Sequence, residues 1–219
     1  MTNKLPTDAE IEADPIQALH ELLAIVKNNG GSKSFAQPSD SFSVYDPSVP
    51  MVQPDTSTPL KKAIIDVEND IRNDHLENGV VFDENGKILL EKRGQPDRLE
   101  FTDSEVLLLK NRTFTHNHPN GGTFSNKDVL MAATYDILEL RVVTPQFRFS
   151  MRPSHGRQWC SRMAVQPHYE QAMQQANFIV NDLVKTGSLH PRHAKSEYQH
   201  YTWAMFAMYL ELVYVREKS

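Results

Sequence analysis

The sequence predicts an α/β (α+β) domain, with a mixed, curved sheet flanked by helices and further helices at the C-terminal end. Two observations predict it. Short apolar runs of strand length, such as Gly79–Asp83 and Lys87–Glu91, are bounded by turn residues. Between such runs lie stretches whose apolar residues recur at helical spacing.

The elements follow in order. Ile11, Ile16, Leu19, Leu22, Leu23, Ile25 and Val26 make residues 7–28 a short amphipathic helix. His20-Glu21-Leu22-Leu23-Ala24 misses the zincin motif, because Ala24 stands where a second histidine is required. Residues 29–58 are rich in serine and carry Gly30-Gly31, Pro38, Pro47, Pro50 and Pro54. Residues 1–57 therefore read as an N-terminal helix and a flexible Ser/Pro-rich arm. They are either a docking segment for a partner or a dispensable tail.

The domain is predicted over 58–219. Thr58-Pro59 is an N-cap followed by proline at N1, and Leu60, Ile64, Val67 and Ile71 carry the helix to about Leu76. Gly79–Asp83 and Lys87–Glu91 form a hairpin about Asn85-Gly86. Thr102-x-x-Glu105 is a capping box opening a short helix through Leu109. Arg112–His116 is a strand, Ser125 to about Leu138 a helix, and Leu140–Thr144 and Phe147–Met151 two further strands. The remainder reads as a helical extension of about 165–219, with helices Pro167–Lys185 and Ala194–Arg216. Trp203, Met205, Phe206, Met208 and Tyr209 in the last helix suit core packing, or a partner groove.

Composition bounds the function. A single cysteine, Cys160, excludes an internal disulfide framework and any CxxC zinc site, and a reducing cytoplasm is the expected compartment. Cys160 itself reads as a small buried hydrophobe. No apolar run is long enough for a bilayer span, so no membrane role is expected. A net charge of −5 argues against strong non-specific nucleic-acid binding. Arg141, Arg148, Arg152, Arg157 and Arg162 nevertheless form a run without lysine or acid. They either pair with acids elsewhere or recognise an anionic partner. His190, His193 and His200 lack an acid or cysteine to complete a metal set and read as surface residues.

The chemistry concentrates in Thr115-His116-Asn117-His118-Pro119 and Ser125-Asn126-Lys127-Asp128. On an extended strand, His116 and His118 project from one face. With Asp128 they supply two nitrogens and one oxygen, a three-ligand zinc set with a fourth position open to water. Ser125-x-x-Asp128 is also a capping box, which could be all that Asp128 does. A hydrolase also needs a carboxylate base and a donor to a developing oxyanion. The Ser125 hydroxyl is the candidate donor. Glu77, between a helix and a strand, is the candidate base, with Glu68, Glu84 and Glu91 as rivals.

These residues resemble the motif of the JAMM (MPN-plus, Jab-like) zinc metalloproteases: a glutamate before a hairpin, His-x-His-Pro, then Ser-x-x-Asp. Here the elements are Glu77, His116-Asn117-His118-Pro119 and Ser125-Asn126-Lys127-Asp128, within about residues 59–151. His-Asn-His-Pro looks closest to the RadC-like side of the family, and Phe114–Met151 is similar to phage- and toxin-associated members. Five residues separate Pro119 from Ser125 where the family usually has six. The resemblance implies a JAMM/deaminase-like layered fold and zinc on His116, His118 and Asp128. It also implies Glu77 as water-activating base, Ser125 at the oxyanion, and a protein or peptide substrate. The other expectation is a non-catalytic, metal-stabilised module, phage- or nucleic-acid-associated, that binds an anion through the arginine run.

Overall fold

The computed structural model describes residues 52–219, so the predicted helix over 7–28 and most of the arm lie outside the described residues. Helix α1 (Pro59–Ile71) starts as read: Thr58 Oγ1 accepts the Lys61 N–H at 3.2 Å, and Pro59 occupies the first turn, where a missing N–H costs nothing. A hairpin follows, β1 (Asn78–Phe82) and β2 (Ile88–Arg93). Its turn places Gly86 at φ +86°, and Asp83 Oδ1 accepts the N–H groups of Asn85 and Lys87, each at 2.9 Å. Next come the short α2 (Asp103–Val106) with its Thr102/Glu105 capping box, β3 (Thr113–Asn117) and α3 (Asn126–Tyr135). Strands β4 (Glu139–Val143) and β5 (Phe147–Pro153) precede two long helices, α4 (Arg162–Lys185) and α5 (Ala194–Tyr209).

The chain ends in a strand, not in the helix expected through Arg216. Helix α5 stops at Tyr209, and β6 (Leu212–Lys218) pairs antiparallel with β5 along its length. The reason is visible in Leu212, Tyr214 and Arg216, which are buried while Val213, Val215 and Glu217 are less so. That alternation has a period of two, and β-branched residues fit it. Residues just before Thr58 also touch the domain: the Lys218 N–H donates to the Val52 carbonyl, and Lys61 pairs with Asp55.

The mixed sheet has the order β2-β1-β3-β4-β5-β6, with β3 and β4 parallel and all other neighbours antiparallel. Its two faces differ. On one, α1 packs Ile64 with Val80 and Phe82. On the other, α3, α4 and α5 cover a large core that includes Phe114, Leu140, Phe149, Ala176, Trp203 and Phe206. Burying such side chains contributes roughly 1.5–3 kcal/mol each. Phe114, and hence His116 two residues on, belongs to this second face.

Candidate metal centre

Strand register brings the candidate residues together. In the β1–β3 pairing Gly79 stands opposite His116, so continuing the register puts Glu77 opposite His118. Residues 77, 79 and 81 share a face with 114, 116 and 118. Gly79 has no side chain to intrude there, and a Cβ at that position would lie 2.5 Å from Leu99 Cδ1 and 2.9 Å from Phe114 Cε2. After Pro119 the chain turns through Gly121, at φ +72°, and enters α3 at Ser125. The capping box there is complete: Ser125 Oγ accepts the Asp128 N–H at 3.2 Å, and Asp128 Oδ2 accepts the Ser125 N–H at 2.6 Å.

Glu77, His116 and His118 each offer a donor atom, all within 4.8 Å of one another, so the group could hold a metal ion. His116 Nε2 and His118 Nε2 are 3.1 Å apart. Asp128 Oδ1 lies 3.5 Å from His116 Nε2, and Asp128 Oδ2 lies 3.5 Å from His118 Nε2. Glu77 Oε1 approaches His118 Nε2 to 3.5 Å from another direction. The His118 tautomer is fixed from behind. Its Nδ1–H donates to the Thr123 carbonyl at 2.9 Å, leaving Nε2 with a lone pair toward the cluster. His116 is buried and stacks on Phe114, with ring centroids 5.1 Å apart.

The electrostatics follow from two carboxylates and two imidazoles sharing one recess. Burial alone would raise Asp128, yet the His116 charge and hydrogen bond, with His118 and the Ser125 N–H, hold it well below the usual carboxylate range. Burial would lower His116, but Asp128 and Glu77 outweigh it and raise its pKa. His118 is lowered by burial and by the neighbouring His116. Glu77 is raised, first by burial and then by Asp128 and Asp97. Two carboxylates beside two imidazoles in one recess carry the charge that a divalent cation would answer.

The rival glutamates stand elsewhere. Glu68 is fully buried on the α1 face, where it accepts from Thr115 Oγ1 at 2.9 Å and Arg141 Nε at 2.7 Å and pairs with Arg148. Glu84 pairs with Arg112 at the hairpin, and Glu91 is exposed on β2. Of the arginine run, Arg141 and Arg148 are buried on Glu68, and Arg157 pairs with Glu211 at 2.6 Å. Arg162 is exposed at the start of α4. The five therefore form no single exposed face. The reading of His200 as a surface residue is overturned: it is buried, with Nδ1 3.0 Å from the Tyr214 hydroxyl that β6 brings beneath α5. Cys160 is partly buried, and burial pushes its thiol up.

Three supporting groups escape sequence reading. The Thr123 carbonyl, the Trp203 Nε1–H donated to the Phe124 carbonyl at 2.9 Å, and the Asn117 carboxamide all act through the loop or strand that carries a ligand. Asn117 alone leaves a signal, as a polar residue of low strand propensity between two histidines. Among the described residues no helix is long and apolar enough to cross a membrane. No family model, curated protein or solved structure matches the chain.

Proposed function

We propose that the chain is a zinc-dependent hydrolase of the JAMM type that cleaves a peptide or isopeptide bond in a protein or peptide substrate. The observation that carries this reading is Glu77 Oε1, 3.5 Å from His118 Nε2, beside a second carboxylate that serves the same two histidines. Bound as a fourth ligand, Glu77 would close the site; read as the base, it leaves the fourth tetrahedral position to water, which hydrolysis requires.

The donor set fits zinc. Ligands at Zn–N of 2.0–2.1 Å and Zn–O of 2.0–2.2 Å in tetrahedral geometry are separated by roughly 3.3–3.5 Å. The two histidine nitrogens are 3.1 Å apart, and each lies 3.5 Å from an Asp128 oxygen, Oδ1 for His116 and Oδ2 for His118. His116 Nε2, His118 Nε2 and Asp128 would hold the ion, and the short Asn120–Phe124 connection still delivers Asp128 to both histidines. When bound, zinc polarises a carbonyl and lowers the pKa of its water to ~7. Glu77, kept basic enough by its raised pKa, takes the proton and returns it to the leaving amine. Ser125 Oγ accepts from the helix, so its own O–H is left to donate to a developing oxyanion.

The second reading, a non-catalytic metal-stabilised module with an anionic partner, keeps one observation. Arg152, Lys110 and Arg157, the last paired with Glu211, line a cleft of about 520 Å³ at the opposite end of the sheet, with Asp136 beside Lys110. Elemental analysis and a cleavage screen against peptide and isopeptide-linked substrates separate the two. One zinc per chain with cleavage that Glu77→Gln reduces by ~10²–10⁴-fold supports the hydrolase. Zinc without cleavage of any substrate, and anion binding lost in Arg152→Ala, supports the module. One cysteine and no predicted disulfide suit a reducing compartment such as the cytoplasm.

A further inference from the structure

Asn117 separates the two histidines in sequence and points to the opposite face of the sheet. It is fully buried, and its side-chain hydrogen bonds all go to one short segment, residues 74–78. Its Oδ1 accepts the Asn78 N–H at 2.7 Å, and its Nδ2 donates to the carbonyls of Leu76 at 3.0 Å and Asp74 at 3.2 Å. One acceptor meets an N–H and the two-proton donor meets two carbonyls, so the amide is satisfied in this orientation and in no other. That segment carries Glu77.

The main-chain pairing of β1 with β3 ends at Gly79 and His116. Beyond it, the Asn117 side chain takes the part of a backbone amide and carries the pairing on through Asn78 to residues 76 and 74. On its other side, Glu77 donates its N–H to the Gln95 carbonyl at 2.9 Å and accepts the Gly94 N–H at 2.8 Å. The backbone at Glu77 is thus clamped between the hairpin and Asn117. Unlike the hairpin contacts, the Asn117 contact comes from the strand that carries His116 and leads directly into His118.

We propose that Asn117 is the positioning residue that sets the distance of the Glu77 carboxylate from the metal. It references the general base and the two histidines to one piece of backbone. The inference rests on the reading of Glu77 as the base beside the open metal position. A substitution at 117 leaves all three ligands in place and lets the segment 74–78 drift.

The test uses the full chain loaded with Co²⁺, whose visible ligand-field bands report the water position without any substrate. The proteins compared are wild type, Glu77→Gln, Asn117→Ala and the double variant. Glu77→Gln is expected to alter the bands. Asn117→Ala is expected to reproduce that alteration with one Co²⁺ per chain still bound, and the double variant to add nothing, as for two residues acting through one position. Wild-type bands in Asn117→Ala, beside altered bands in Glu77→Gln, overturn the inference. Wild-type bands in Glu77→Gln overturn the placing of Glu77 itself, and the inference with it. Should Asn117→Ala fail to melt cooperatively, Asn117→Asp keeps the acceptor for Asn78 and turns an oxygen on the two carbonyls, and the same bands are expected. Loss of folding in both variants would make Asn117 a folding residue and overturn the positioning role.

Discussion

Asp128 reaches His116 with one carboxylate oxygen while the other closes the cap of α3: Oδ1 lies 3.5 Å from His116 Nε2, and Oδ2 accepts the Ser125 N–H at 2.6 Å. The capping and ligand readings of this residue are therefore compatible. The cap orients the carboxylate, and the helix N-terminus favours its charge.

Those two duties separate by mutation. Asp128→Asn keeps an oxygen for the Ser125 N–H but loses the charge. It should keep the cap but cost the metal-free protein the charge pairing with His116, and weaken zinc retention by at least tenfold, about 1.4 kcal/mol. Asp128→Ala should lose zinc and also about 1 kcal/mol of metal-free stability. Calorimetry in chelator, with zinc titration, reads both.

Zinc should stabilise the fold. At a hundredfold excess over its dissociation constant the gain is ~2.7 kcal/mol. His116→Ala and His118→Ala should each abolish that increment. A chelator should lower the wild-type melting temperature and leave those variants unmoved.

The pH dependence has a defined sign. The folded pKa of His116 is raised above its ordinary 6.5. Its contribution is thus fully present below pH 6.5 and is lost as pH rises through the raised value. The metal-free protein should lose this increment on the alkaline side of pH 6.5. Zinc must displace the same proton, so its affinity should climb across that interval with proton release. Melting curves in chelator from pH 6 to 9, beside zinc titrations in two buffers of different ionisation heat, measure both. A flat metal-free profile in wild type, matching that of His116→Ala, would remove the effect.

Glu68→Gln should be damaging without touching the metal. Glu68 faces Arg141 and Arg148 in a buried cluster, and its loss leaves two guanidinium groups short of counter-charge. A cost of about 3–5 kcal/mol is expected in denaturant unfolding, with one zinc per chain retained.

The fold class is legible in the sequence, and so is the meeting of His116, His118 and Asp128 in one recess. His116, His118 and Asp128 declare themselves because strand alternation and a capping box are local rules. Glu77 could be nominated from the sequence, but only the register, with residue 77 opposite 118, separates it from Glu68. Strand β6 was lost to helix because Trp203 to Tyr209 carry the helical pattern up to Leu212 and Val213, and the change of period comes within three residues of the helix end. The placing of Glu68, Arg141, Arg148 and His200 depends on contacts between distant segments, for which a single sequence holds no signal.

The Trp203 indole N–H on the Phe124 carbonyl has a bearing on what would survive excision. A fragment of residues 59–151 would contain Glu77, His116, His118, Asp128 and Ser125, every group to which the proposed hydrolase gives a chemical duty. It would lack α5, and with it the beam that holds the 119–124 loop from behind. The Thr123 carbonyl that selects the His118 tautomer would then hang on an unsupported loop. Transplanting the motif into another scaffold should accordingly carry over ligands and little affinity, unless a donor to the Phe124 carbonyl travels with it.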